Sequence, residues 1–311
     1  EFDAEVLSCE EKNGKYVSVE LIKNADFVTI TCGGNDLMAI LYEKVAEAWN
    51  KANPDKELTP EEALMKLASG DLGLLMTTIN LFDLNSDSYL INDGDFDAAL
   101  DKYIETLKKI TTYVNMNNPR CAVIVATQYN PYAEFKGTFF DVVYNGMEDG
   151  VGKLNKAITD NASEGGYVVS DVKSEFDAST DEGDLYNADP NNMNVDFHPT
   201  ANGHKLLARS FGKTVSEVQY VKYSVSHFYE RLDGTFEEEK ISGEAAAGVN
   251  VYAVETVKEG FSLVSNENEV RAASATEGVV LKLYYARNKY SVKWKNETEE
   301  LVSEYKYGEQ I

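Results

Sequence analysis

From Ala25 to about Phe211, short apolar runs alternate with longer stretches of helical period. ADFVTITC, residues 25–32, reads as a buried strand, and Asp36 to Trp49 then carries Leu37, Ile40, Leu41, Val45 and Ala48 at helical spacing. FDAALDKYIETLKKITTYV sets Phe96, Leu100, Tyr103, Leu107, Ile110 and Val114 on one stripe. Pro119 follows, and then CAVIVAT (Cys121–Thr127) gives a second strand. A helix near Asp141–Asn161 leads to a third strand, GYVVSDV (Gly166–Val172), and HKLLARSF closes the series as a helix. Parallel strands need crossovers, so this alternation predicts an α/β fold with a doubly wound parallel sheet and flanking helices.

Between the first two strands lies a long excursion, Lys51 to Gly94. Thr59-Pro60-Glu61-Glu62 has the form of a capping box with proline at the first helical position, so a helix starts there. Inserted after a strand, this segment is expected to lie over the carboxyl ends of the sheet as a lid. DLNSD (Asp83–Asp87) opens like a calcium loop but lacks the glycine at the sixth position and the glutamate at the twelfth, which makes a solvated turn the default reading. After about Lys213 the pattern changes. KYSVSHFYERLDGTFEEEKISG alternates around Asp233-Gly234, a hairpin signal, and VNVYAVE, GFSLV and GVVLKLYYARN follow as strands. KYSV at Lys222–Val225 recurs at Lys289–Val292, an internal echo of tandem β-modules. Residues 220–311 are therefore expected to be β-rich and separately packed.

Charge excludes some partners. With 53 acidic against 29 basic residues and a formal charge of -24, the surface repels phosphate backbones and anionic headgroups, which argues against nucleic acid. No apolar run approaches the ~20 residues of a membrane span. Cys9, Cys32 and Cys121 are far apart, without a CxxC or Cys/His cluster, so they read as free thiols and no metal or other cofactor is expected. Of three histidines, His227 falls within a strand pattern, while His198 and His204 share NVDFHPTANGHKLLA. There Asp196 stands two residues before His198. An imidazole held in a turn with a carboxylate close by suits a general base.

That segment and VTITCGGNDL (Val28–Leu37) together resemble blocks of the SGNH (GDSL-type) hydrolases, and ATQYNPY (Ala126–Tyr132) is similar to members of that family. The resemblance covers residues about 1–211 and implies an SGNH/flavodoxin-like sheet that cleaves esters with a serine nucleophile, a histidine base and an oxyanion hole. By resemblance His198 is the base and Asp196 its orienting carboxylate. Asn35 donates its side-chain amide to the oxyanion, with Gly34 beside it. Asp36 reads as the cap of the helix that follows.

Two departures stand out. The commonest family pattern places the aspartate three residues before the histidine, where this chain has Val195. The chain also has no Gly-Asp-Ser and no G-x-S-x-G. Residues 1–28 read as the helix feeding the GGND strand, and Ser8 and Ser18 lie in the wrong context. The expectation is an N-terminally truncated hydrolase, residues 1–215, lacking its first strands and its serine.

The second half resembles the β-repeats of bacterial surface proteins, of the mucin-binding-protein-like and Listeria–Bacteroides type, through KYSVSHFYERLDGTF, LKLYYARNKYSV and EYKYGEQI. This implies a module at 216–289, the start of another at 290–311, and display outside or on the surface of a Gram-positive cell. Two functions compete. One is an extracellular esterase or deacetylase acting on lipid, acyl or carbohydrate O-acetyl esters, with cell-wall or glycan contact through the β-repeats. The other is a non-catalytic surface binding or adhesion protein with a degenerate hydrolase domain.

Overall fold

The computed structural model describes residues 11–12, 15–82, 94–179, 184–192, 194–296 and 299–310. Two short strands, β1 (Glu11–Lys12) and β2 (Lys15–Tyr16), pair antiparallel ahead of helix α1 (Val17–Asn24). The helix expected across residues 1–28 is thus confined, among the described residues, to its final turns. Three parallel strands follow: β3 (Phe27–Ile30), β4 (Ala122–Ala126) and β5 (Val168–Ser170), in the order β3-β4-β5. β4 lies between the other two, and all five of its residues are fully buried. A strand covered on both faces reads as an unbroken apolar run, as AVIVA does. Each such Val or Ile contributes on the order of 1.5–3 kcal/mol through burial.

Helices cover both faces of this sheet. α2 (Gly34–Ala52), α5 (Gly94–Asn117) and α6 (Asp141–Asp160) pack Leu41, Leu107 and Leu154 against the Val123 and Val125 face. Alternation sends Ala126 to the other face, where it meets Val172 and Phe176 of α8 (Val172–Ala178) and Leu206 of α9 (Ala201–Glu217). A buried polar knot fixes α9 to β5: Ser170 Oγ lies 3.0 Å from Ser210 Oγ and accepts from the Thr214 hydroxyl at 3.1 Å. The four-residue α7 (Ala162–Gly165) follows α6.

The excursion after α2 forms α3 (Pro60–Ala68) and α4 (Leu72–Leu81). The capping box is present: Thr59 Oγ1 accepts from the Glu62 amide at 3.2 Å, and Glu62 Oε2 accepts from the Thr59 amide at 2.9 Å. The DLNSD segment lies outside the described residues.

Beyond α9 the chain is all β. β6 (Tyr220–Glu230) and β7 (Phe236–Ala246) form the hairpin turned at Asp233-Gly234. β8 (Asn250–Tyr252) pairs with β10 (Ala272–Ser274). β11 (Val279–Arg287) returns parallel to β6 and carries β9 (Phe261–Val264) on its far side, giving the order β7-β6-β11-β9. β12 (Lys289–Lys295) and β13 (Glu300–Lys306) form a second hairpin, so both KYSV stretches lie in the first strand of an antiparallel hairpin. His227 is buried in β6 with Nδ1 3.0 Å from the Tyr285 hydroxyl, and burial lowers its pKa.

The expected separation of the two halves is incomplete. Ala122, at the amino end of β4, belongs to the cluster formed by Val225, Ala245, Val249 and Leu281, with Phe27 packed against it. Arg120 pairs with Glu244 at 3.0 Å, and the Ala246 amide donates to the Pro119 carbonyl. Small residues at Ala122, Ala245 and Ala246 let the backbones approach. This seam lies at the amino ends of β3 and β4, opposite the ends that carry the polar motifs.

Candidate active site

Parallel strands present all their carboxyl ends on one side, and ligands of open α/β sheets bind there. In this chain β3 runs into Thr31-Cys32-Gly33-Gly34-Asn35 and β4 into Thr127-Gln128-Tyr129, and both stretches line a cavity of about 390 Å³. His198, Pro199 and His204 close it from the loop before α9. The structure thus brings Gly34, Asn35 and His198 to one cavity.

Gly33 makes the turn from β3 into α2. Its φ of 105° is one that side-chain-bearing residues rarely adopt, and an added Cβ would stand 3.1 Å from the Leu154 methyls and 3.2 Å from the Tyr103 ring. Gly33, not Asp36, occupies the N-cap, and it offers no side-chain acceptor. The expectation that Asp36 caps the helix is therefore corrected. Asp36 sits in the first turn, where a carboxylate complements the helix dipole. The exposed Asn35 side chain makes no hydrogen bond among the described residues, which leaves both amide protons for a ligand.

The segment 194–199 is tied to the loop after β4 by two tyrosines. Tyr129 donates to the Phe197 carbonyl at 3.2 Å and Tyr132 to the Val195 carbonyl at 3.1 Å. Desolvation raises both phenol pKa values, so the hydroxyls stay protonated donors. Tyr129 itself stacks on Phe176 at 4.3 Å. Asn155 clamps the backbone of Gln128, accepting from its amide at 2.6 Å and donating to its carbonyl at 2.8 Å. The Thr200 side chain accepts from the Gly203 amide and caps α9. Gly203 is required there, since a Cβ would lie 2.5 Å from the Leu185 carbonyl oxygen.

Asp196 and His198 meet. His198 Nδ1 lies 2.7 Å from Asp196 Oδ1, and the same oxygen accepts the His198 backbone amide at 3.0 Å. That backbone hydrogen bond is the largest influence holding the Asp196 carboxyl below its ordinary pKa, with the imidazole contact adding to it. A charged carboxylate can only accept, so the Nδ1 proton points at Asp196 and Nε2 is left as the basic nitrogen. Phe197 stacks on the imidazole at 4.4 Å between ring centroids, and the His198 side chain is 67% exposed. Val195, three residues before His198, lines a second, mainly apolar cavity.

No serine lines the first cavity among the described residues. Cys32 lines it, but burial raises its thiol pKa and outweighs the lowering contact of Sγ with the Tyr103 hydroxyl at 3.7 Å, the opposite of an activated thiolate. Ser8 lies outside the described residues, and Ser18 belongs to α1. Among the described residues the inserted helices α3 and α4 contribute nothing to this cavity and pack beside it on α2, so they form no roof over it. Sequence reading did not single out Gln128, Phe197 or Met38. Gln128 alone carried a signal, as a polar residue just past a buried strand.

Among the described residues no helix is long and apolar enough to cross a membrane. No family model and no curated protein matches the chain. Solved structures similar to it include a phospholipase A1 from Streptomyces albidoflavus, 14% identical over 60% of this chain and 68% of that one, with a TM-score of 0.32. They also include an extracellular lipase from Streptomyces rimosus, 18% identical over 61% of this chain and 70% of that one, with a TM-score of 0.33.

Proposed function

We propose that this cavity is the centre of a carboxylic ester hydrolase, with His198 as general base, Asp196 as its orienting carboxylate, and Asn35 with Gly34 at the oxyanion. The observation that carries the proposal is the Asp196–His198 contact, whose imidazole lines the same cavity as an Asn35 amide that makes no hydrogen bond among the described residues. A serine from outside the described residues supplies the hydroxyl. Its oxygen attacks the ester carbonyl carbon as His198 Nε2 takes its proton, and Asn35 donates to the oxygen that becomes negative. Collapse expels the alcohol, which takes the proton from Nε2. Water then attacks the acyl-serine by the same route and releases the acid. No step calls for a metal or another cofactor.

The proposal extends to organisation. Residues 1–215 form the hydrolase-like unit, 216–289 a β-repeat module and 290–311 the start of another, at an extracellular or Gram-positive cell-surface location with glycan contact through the repeats. The recurrence of KYSV in the leading strands of two hairpins supports this reading. The absence of serine among the described lining residues favours one second reading, a non-catalytic surface binding protein.

Turnover of a short-chain aryl ester separates the two. The 311-residue chain is expected to show none above background, and a chain extended upstream is expected to be active. Turnover by the 311-residue chain that survives Ser8→Ala and Ser18→Ala would refute an external serine. Inactivity of both chains would favour the binder.

A further inference from the structure

Beside the first cavity lies a second, of about 270 Å³, walled by Leu41 of α2, Leu67 of α3, Leu75 of α4, and Phe82, Phe135 and Val143. Met38 and Phe197 stand in the walls of both. We propose that this second space holds the acyl chain of the ester, which makes the substrate a medium-chain acyl ester rather than an O-acetyl group. The inference rests on the hydrolase reading of the first cavity.

Three observations support it. At about 270 Å³ the space far exceeds the room one water needs, so it can take a chain of several carbons. Its lining is mainly aliphatic and aromatic, with Thr78 of α4 and Asn194 and Asp196 of the loop before α9 as its polar members, which suits a hydrocarbon better than a sugar. Its position is set by the chemistry: Phe197, which stacks on His198, also walls the second space. An acyl chain running past Met38 and Phe197 therefore leaves its carbonyl at Asn35 and His198. Without the inserted helices this space would lack Leu64, Leu67 and Leu75 and stand open to water. Leu64 is 37% exposed and Leu75 half-buried, which puts the edge of the space at the surface. The insertion expected as a lid is thus a specificity wall.

The test needs no turnover. Straight-chain alcohols from propanol to decanol are titrated into the 311-residue chain and followed calorimetrically. Affinity should rise about fourfold per added methylene, the equivalent of ~0.8 kcal/mol each, and stop rising once the space is filled. Leu75→Trp, and independently Leu64→Trp at the more tolerant exposed edge, should flatten the series at shorter lengths, with folding checked by circular dichroism. An affinity that ignores chain length, or a series unmoved by both folded variants, overturns the proposal. Length-dependent binding that persists in Asn35→Ala and His198→Ala supports the acyl space even if the hydrolase reading fails. A flat series beside an active upstream-extended chain rejects the acyl space alone.

Discussion

In the upstream-extended chain, His198→Ala is expected to lower kcat on a short-chain ester about 10⁶-fold, as loss of the histidine does where nucleophile and base act as one unit. The reason is local. Nδ1 is committed to Asp196 at 2.7 Å, so a single nitrogen, Nε2, serves as proton acceptor and later as proton donor. His204 lines the same cavity but is exposed on α9, and no carboxylate contact orients its ring among the described residues. Asp196→Asn should cost less, about 10⁴-fold, because an amide facing Nδ1 permits the wrong tautomer without displacing the ring. KM should change little in either variant, since neither side chain is asked to bind the ester in its ground state. Steady-state kinetics on folded variants provide the check. A His198→Ala protein within tenfold of the parent would remove this residue from the mechanism.

Asn35→Ala should lower kcat by about 10²–10³-fold, in line with removal of one oxyanion donor. Asn35 has the features such a donor needs. It follows a turn held rigid by Gly33, it stands in the first turn of a long helix, and no hydrogen bond among the described residues competes for its amide. A donor already in place stabilises charge without reorganising when that charge appears. The effect should therefore fall on kcat and leave KM nearly unchanged. A rise in KM alone would mean that Asn35 binds ground-state substrate, and no effect on either constant would exclude it from the site.

The parts of the fold that were legible in the sequence are those whose physics is local. Cys121–Thr127 announced a buried strand because its first six positions are all apolar, and Phe96 to Val114 announced a helix through its period. Thr59-Pro60-Glu61-Glu62 announced a cap because both of its hydrogen bonds span three residues. Other features depend on how distant segments meet. The strand expected to Val172 stops at Ser170 because Asp171 caps a helix through the Ser174 amide. Asp36 lost its expected role to a glycine whose backbone, not its side chain, makes the turn. The spacing of Asp196 did not disclose that the 194–199 loop, pinned by Tyr129 and Tyr132, folds the carboxylate onto Nδ1. The second cavity could not be read at all, because its walls come from α2, α3, α4 and the loop before α9. Candidate residues in a linear motif were visible, whereas the space around them was not.

The most direct measurement is trapping of the tetrahedral state. The upstream-extended chain, labelled with ¹⁵N at asparagine side chains, is treated with an alkyl phosphonate ester that forms a stable adduct with an activated serine. One equivalent should attach, to a single serine identified by mass spectrometry. The Asn35 side-chain amide resonance should move as its protons meet the phosphonyl oxygen, and His198→Ala should abolish labelling. Labelling with the Asn35 amide unmoved, or labelling that survives His198→Ala, would contradict an ester-hydrolysing centre built from these residues.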